Sequence, residues 1–150
     1  LKGLAPFYTG KTATGNNSFL IQLMTSLNNG DVDRAMTLLR SFYSSVPYNA
    51  EKQDEDHYKT IFYLIFTLAS EYSVHTEQCS AAGRCDALIE TDDTIFVFEF
   101  KLNGTAEEAL KQINDKGYAI SYEAGEKKVI KIGANFDETL RTIDRWVVEV

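Results

Sequence analysis

The stretch from Gly83 to Leu102, GRCDALIETDDTIFVFEFKL, constrains the fold of this chain more than any other. An apolar run, Ala87 to Ile89, leads into polar residues Glu90 to Thr94, and a second run, Ile95 to Leu102, carries Glu99 and Lys101 inside an otherwise apolar strand pattern. Two such runs about a short polar turn read as a β-hairpin. With Asp92 and Asp93 as the central turn residues, Thr91 pairs with Thr94, and counting back along the ladder sets Asp86 opposite Glu99 and Arg84 opposite Lys101. Side chains alternate along a strand, so Asp86, Glu99 and Lys101 share one face while Phe96, Phe98 and Phe100 share the other. Opposed residues have Cβ atoms about 4.5–5.5 Å apart, where two like charges destabilise a sheet unless something positive lies between them. A divalent cation is the simplest candidate. Ile95, Val97, Phe98 and Phe100 put apolar groups on both faces, which marks a central strand rather than an edge. Charges there are costly unless paired or metal-bound.

The order Asp86, twelve residues, then Glu99-Phe100-Lys101 resembles the PD-(D/E)xK nuclease superfamily, whose core is an Asp on one strand and a (D/E)-x-K on the next. The wider text is similar to the nuclease-like domain at the C-terminus of bacterial proteins that begin with an AAA-ATPase-like domain. The segments that carry this are EDHYKTIFYLIF at 55–66, TEQCSAAGRCDALIET at 76–91, IFVFEFKLNGTAEEALKQINDKGYA at 95–119 and KKVIKIGANFD at 127–137. The resemblance implies an α/β, restriction-endonuclease-like core: a central mixed sheet flanked by helices, with an N-terminal helical hairpin. Residues 1–50 are then a helical linker segment packed on the core, and residues 51–150 the nuclease-like domain. Cys85 stands where the superfamily name has a Pro.

What the resemblance implies chemically is hydrolysis of a phosphodiester in DNA or RNA. Asp86 and Glu99, with the Phe100 carbonyl, offer hard oxygens suited to Mg²⁺ or Mn²⁺. Lys101 would orient or deprotonate the attacking water, or stabilise developing charge. By the same resemblance Glu55 brings an acidic group from the preceding helix, Gln112 approaches the metal from the following one, and Arg84, in Gly-Arg-x-Asp, is a phosphate contact or a carboxylate partner. Other readings stand beside these. An acidic first turn at Glu51, Asp54, Glu55 and Asp56 suits a helix dipole without any site, Gln112 also fits a surface position, and Glu77 is either a further acid or a solvent-facing strand residue. His57 reads as packing.

A chain of 150 residues suffices for one domain with a substantial core. No stretch approaches the roughly 18 apolar residues of a membrane span, and LKGLAPFYTGKT at the start lacks the apolar segment of a secretory signal. A cytoplasmic protein is expected, and Leu1 in place of Met reads as a piece of a longer one. Cys79 and Cys85 are too few for a disulfide scaffold and lack the second pair of a zinc site, so they read as reduced and structural. The net charge of −7 argues against an extended nucleic-acid surface, because phosphate binding depends on Lys and Arg, although a metal site can hold a phosphate locally and an ATPase-like partner domain could supply a basic surface. The same acidity favours a rival reading, a catalytically inactive nuclease-fold module used for protein interaction or structure.

Along the chain, Ala5 to Thr12, APFYTGKT, satisfies a relaxed phosphate-loop pattern but lacks the preceding strand and Gly-rich turn, and reads as a surface lead-in. Apolar spacing predicts helices over Ser18–Leu27, capped at Asn16 to Ser18, over Asp31 or Asp33 to Ser44, and over Glu51 or Asp54 to Ser70. A first strand spans 71–78. After the hairpin, Thr105-Ala106-Glu107-Glu108 forms a capping box for a helix to about Gly117. A strand follows over Lys128–Gly133, then a last helix over Glu138–Arg145, with Trp146 and the VVEV tail as packing or a final edge strand.

Overall fold

The structure is a computed structural model in which residues 10–47, 55–69, 75–77 and 86–150 are described, with 10–17, 55 and 75–77 described by backbone alone. In order along the chain come helices α1 (Gly10–Asn28), α2 (Val32–Ser45) and α3 (Glu55–Ala69), strands β1 (His75–Glu77), β2 (Ala87–Glu90) and β3 (Thr94–Leu102), helix α4 (Ala106–Lys116), and strands β4 (Lys128–Asp137) and β5 (Thr142–Glu149). The five strands form one sheet in the order β1-β2-β3-β4-β5. β3 and β4 are parallel and the other neighbours antiparallel, so the sheet is mixed. A parallel pair needs a crossover, and α4 supplies it.

The hairpin register agrees with the sequence. Thr91 N–H donates to Thr94 O at 2.9 Å, and the ladder continues through Glu90 opposite Ile95 to Ala87 opposite Phe98. β3 lies at the centre of the sheet, and its alternation divides it. Phe96, Phe98 and Phe100, with Ile130, Ile132, Ala134 and Phe136 of β4, join one apolar cluster with the buried faces of α1, α2 and α3. Ile95, Val97 and Leu88 pack on the other side against Ile113 of α4 and Ala119.

Two local features set α4 on the sheet. Thr105 and Glu108 form the expected reciprocal capping box, which fixes where the helix starts. Gly133 faces it from β4: a Cβ there would lie 2.5 Å from Ala106 O and Leu110 N, so only glycine lets the helix backbone come this close. Since Glu99 is the β3 partner of Gly133, the same contact brings α4 down beside Glu99.

Two expectations from sequence are corrected. α1 begins at Gly10, well before the caps proposed at Asn16 to Ser18, so Gly10 to Thr12 of the phosphate-loop-like segment are helical. Glu138–Arg145 is not a helix. Asp137 Oδ1 accepts from Thr139 N–H (2.8 Å) and Leu140 N–H (3.0 Å) as a cap would, but Arg141 takes a left-handed φ of 61° and ends the turn. The chain then returns as β5, the edge strand, pairing with β4 from Thr142 to Glu149. β-branched and aromatic residues from Thr142 to Val148 favour that pairing over a helix. Residues 5–9, Cys79, Arg84 and Cys85 lie outside the described residues.

Candidate active site

Asp86 stands just past the end of β2. Its backbone N–H donates to Phe98 O at 3.1 Å, and its Oδ2 accepts from Phe100 N–H at 2.8 Å. The carboxylate thus takes over a strand N–H that the ladder leaves open and is held against β3. Glu99 is only 3% exposed. Its Oε2 accepts from Gln112 Nε2 at 2.8 Å, while its Oε1 is buried with no hydrogen-bond partner among the described residues. Burial first, and then the negative charge of Asp86, push the Glu99 carboxyl up to about 8; Lys59 and Lys101 offset this only in part, and the Asp86 N–H helps weakly. The sequence-predicted closeness of the two acids is therefore present.

Lys101, on the same face two residues on, donates from Nζ to Gln112 Oε1 at 2.5 Å. Gln112 so uses both ends of its amide, one on the acid and one on the lysine, and its Nε2 also lies 3.2 Å from Tyr118 Oη. The helix position, which by sequence fitted either site or surface, faces the site. Lys101, Glu108, Lys111, Gln112, Asp115 and Lys116 line an open hollow, so the lysine side of the site meets solvent while the Glu99 side is sealed.

Lys59 was not anticipated. From α3 its Nζ reaches Asp86 Oδ1 at 2.9 Å. A lone lysine on a helix carries no signal by itself, and its place one turn after Glu55 fits an ordinary helix pair, so the sequence offers nothing that would have marked it. His57 meets the Tyr58 ring edge-on at 5.2 Å, in keeping with a packing role. Glu55 opens α3 and Glu77 pairs with Leu88 in the sheet; their side chains, and Arg84 altogether, lie outside the described residues.

The chemistry of the site fits a hard divalent ion. Two carboxylates converge, and Glu99 Oε1 is a buried acceptor that no group among the described residues satisfies, a costly arrangement unless a cation completes it. Among the described residues no group of three or more His, Cys, Asp or Glu gathers at one point; those at the site are Asp86 and Glu99, with Gln112 as a neutral oxygen and nitrogen donor alongside.

The model of the PD-(D/E)XK nuclease superfamily matches residues 53–146, and the chain belongs to that superfamily. A protein of Azotobacter chroococcum mcd 1, described as an uncharacterized protein in the vnfD 5′ region, is 30% identical over 135 residues, which are 85% of this chain and 26% of that protein. The chain spans about a quarter of that relative's length. No solved structure matches. No helix of the described residues is long and apolar enough to cross a membrane.

Proposed function

We propose that the chain is a divalent-metal-dependent phosphodiesterase, a nuclease acting on DNA or RNA, and works as one domain of a longer, ATPase-like protein. The observation that carries this is Glu99: buried on the central strand, facing Asp86, with an unsatisfied Oε1 and tied through Gln112 to Lys101. Asp86 and Glu99 would hold Mg²⁺ or Mn²⁺, with Glu55 adding to the set from α3 and Glu77 and Arg84 serving as a further acid and a phosphate contact. When bound, the ion neutralises phosphate charge and makes water a better nucleophile. Phe100 N–H fixes the Asp86 carboxylate, Gln112 fixes that of Glu99, and both acids are thus oriented before substrate arrives. Lys101, held by Gln112 at the solvent edge, orients the attacking water and places positive charge where the phosphate oxygens gain negative charge. Hydrolysis adds the water oxygen to phosphorus and breaks the ester P–O bond. The short span relative to the Azotobacter protein supports a domain within a larger chain, where a partner domain adds the basic surface that a net charge of −7 lacks. Nucleic acid as substrate agrees with the cytoplasmic location expected from sequence.

One observation favours the rival reading of an inactive module: the Lys59 ammonium pairs with Asp86 and so offsets its charge. The two readings separate in a single assay of the purified protein on plasmid, single-stranded DNA and RNA, with Mn²⁺ and with EDTA. Cleavage that requires Mn²⁺ is expected. Substrates left intact with Mn²⁺ present would leave the module reading in its place.

A further inference from the structure

Both oxygens of Asp86 are engaged. Oδ2 takes Phe100 N–H, a bond internal to the sheet, whereas Oδ1 takes Lys59 Nζ at 2.9 Å, a bond from a side chain rooted on a different element. Lys59 is partly exposed, and its four-carbon stem lets the ammonium move without moving α3. Its charge reaches Glu99 as well, since it is among the groups that hold the Glu99 carboxyl down. One ammonium thus serves both acids, the electrostatic task an ion would perform there.

A cation held by Asp86 and Glu99 would meet the carboxylate that this ammonium already pairs with. Two positive groups on one carboxylate repel each other at short range, in a setting where burial weakens screening. The ammonium must therefore give way, and it cannot go far because its stem is anchored at the rim of the site. The anionic partner that arrives there is the phosphate of the substrate, and a lysine a hydrogen bond away from Asp86 lies within reach of it.

We propose that Lys59 is an exchangeable counter-ion of the acid pair: it holds Asp86 Oδ1 while the ion is away, yields that oxygen when the ion binds, and then contacts a substrate phosphate. This rests on the metal reading of Asp86 and Glu99 given above. It makes Lys59 a second lysine of the site, on α3, with a task different from that of Lys101 on β3.

The test uses Lys59→Met, which keeps the stem and removes the charge, and Lys59→Gln, which keeps a hydrogen bond to Asp86, so that one folded variant suffices. Mn²⁺ binding is followed by the electron spin resonance of free Mn²⁺, without nucleic acid. Removing the competitor should tighten Mn²⁺ binding about tenfold or more. The second readout places Lys59→Met in the Lys101→Ala background, with Mn²⁺ present, and measures the salt dependence of binding to DNA and RNA oligonucleotides. Loss of one phosphate contact should make the slope of log K against log salt shallower by about one. Mn²⁺ binding equal to or weaker than wild type in a folded variant, or an unchanged slope, overturns the proposal. Wild-type protein that binds no Mn²⁺ at millimolar concentration removes the metal reading instead, and the proposal with it; equal Mn²⁺ binding in wild type and variant removes the Lys59 proposal alone.

Discussion

On one face of β3, Phe98 and Phe100 meet Phe62 at ring distances of 4.9 and 4.6 Å, and Phe100 meets Phe136 at 5.6 Å. On the other face the same strand begins alike, with Ile95 and Val97 buried against Ile113, and then places Glu99 and Lys101 where further apolar residues would complete the core. Phe98 is 1% exposed and Glu99 3%, so the carboxyl is almost as enclosed as the ring beside it. The difference lies in what satisfies each side chain. The rings need only neighbours, and α3 and β4 supply them, whereas Glu99 and Lys101 need hydrogen-bond partners and, among the described residues, share Gln112. A strand locked by its aromatic face can carry an unfavourable group on the opposite one, and this is how the fold sustains two converging acids.

The aromatic face should be the more sensitive of the two. Phe98→Ala removes a buried ring that contacts Phe62, Phe66 and Phe100, and is expected to cost about 3–5 kcal/mol in chemical denaturation. A loss below that of a typical surface substitution would mean that the helices do not seal this face.

The polar face should show itself through pH. The Glu99 carboxyl is raised to about 8 in the folded protein against 4.5 when free, so between these values the folded state binds a proton that the unfolded chain releases. The Glu99 contribution to stability of the metal-free protein is then fully present below about 4.5, falls as pH rises, and is lost above about 8, a change of a few kcal/mol across the window. Glu99→Gln should flatten this profile and raise the melting temperature at pH 8. A profile equally steep in the variant would place the titrating group elsewhere.

Much of this contrast was legible in the sequence. The alternation from Ile95 to Leu102 and the two Asp residues of the turn fixed the register locally, and with it the meeting of Asp86, Glu99 and Lys101. The capping box at Thr105 marked the start of α4, but Gln112 fitted a surface position as well as the site, and the family resemblance alone pointed it at the strand. Legibility failed where long-range pairing decides. Asp137 reads as a helix cap and does cap one turn, but the unpaired edge of β4 and the β-branched residues after Arg141 favour β5. Lys59 was hidden for a related reason: its meaning comes from Asp86, which lies 27 positions further along the chain, and a helix reveals nothing of what crosses beneath it.

Lys101 gives the smallest expected change in the fold and the most direct test of the site. Its partner is Gln112, and it lies at the solvent edge, so Lys101→Ala should alter stability by no more than about 1 kcal/mol. Mn²⁺ binding and cleavage of plasmid DNA and RNA, measured on the same preparation of this variant and of wild type, then decide the central claim. The account predicts Mn²⁺ bound with near wild-type affinity, because Asp86 and Glu99 are untouched, and cleavage reduced by at least a hundredfold. Cleavage that survives in Lys101→Ala at the wild-type rate would contradict it.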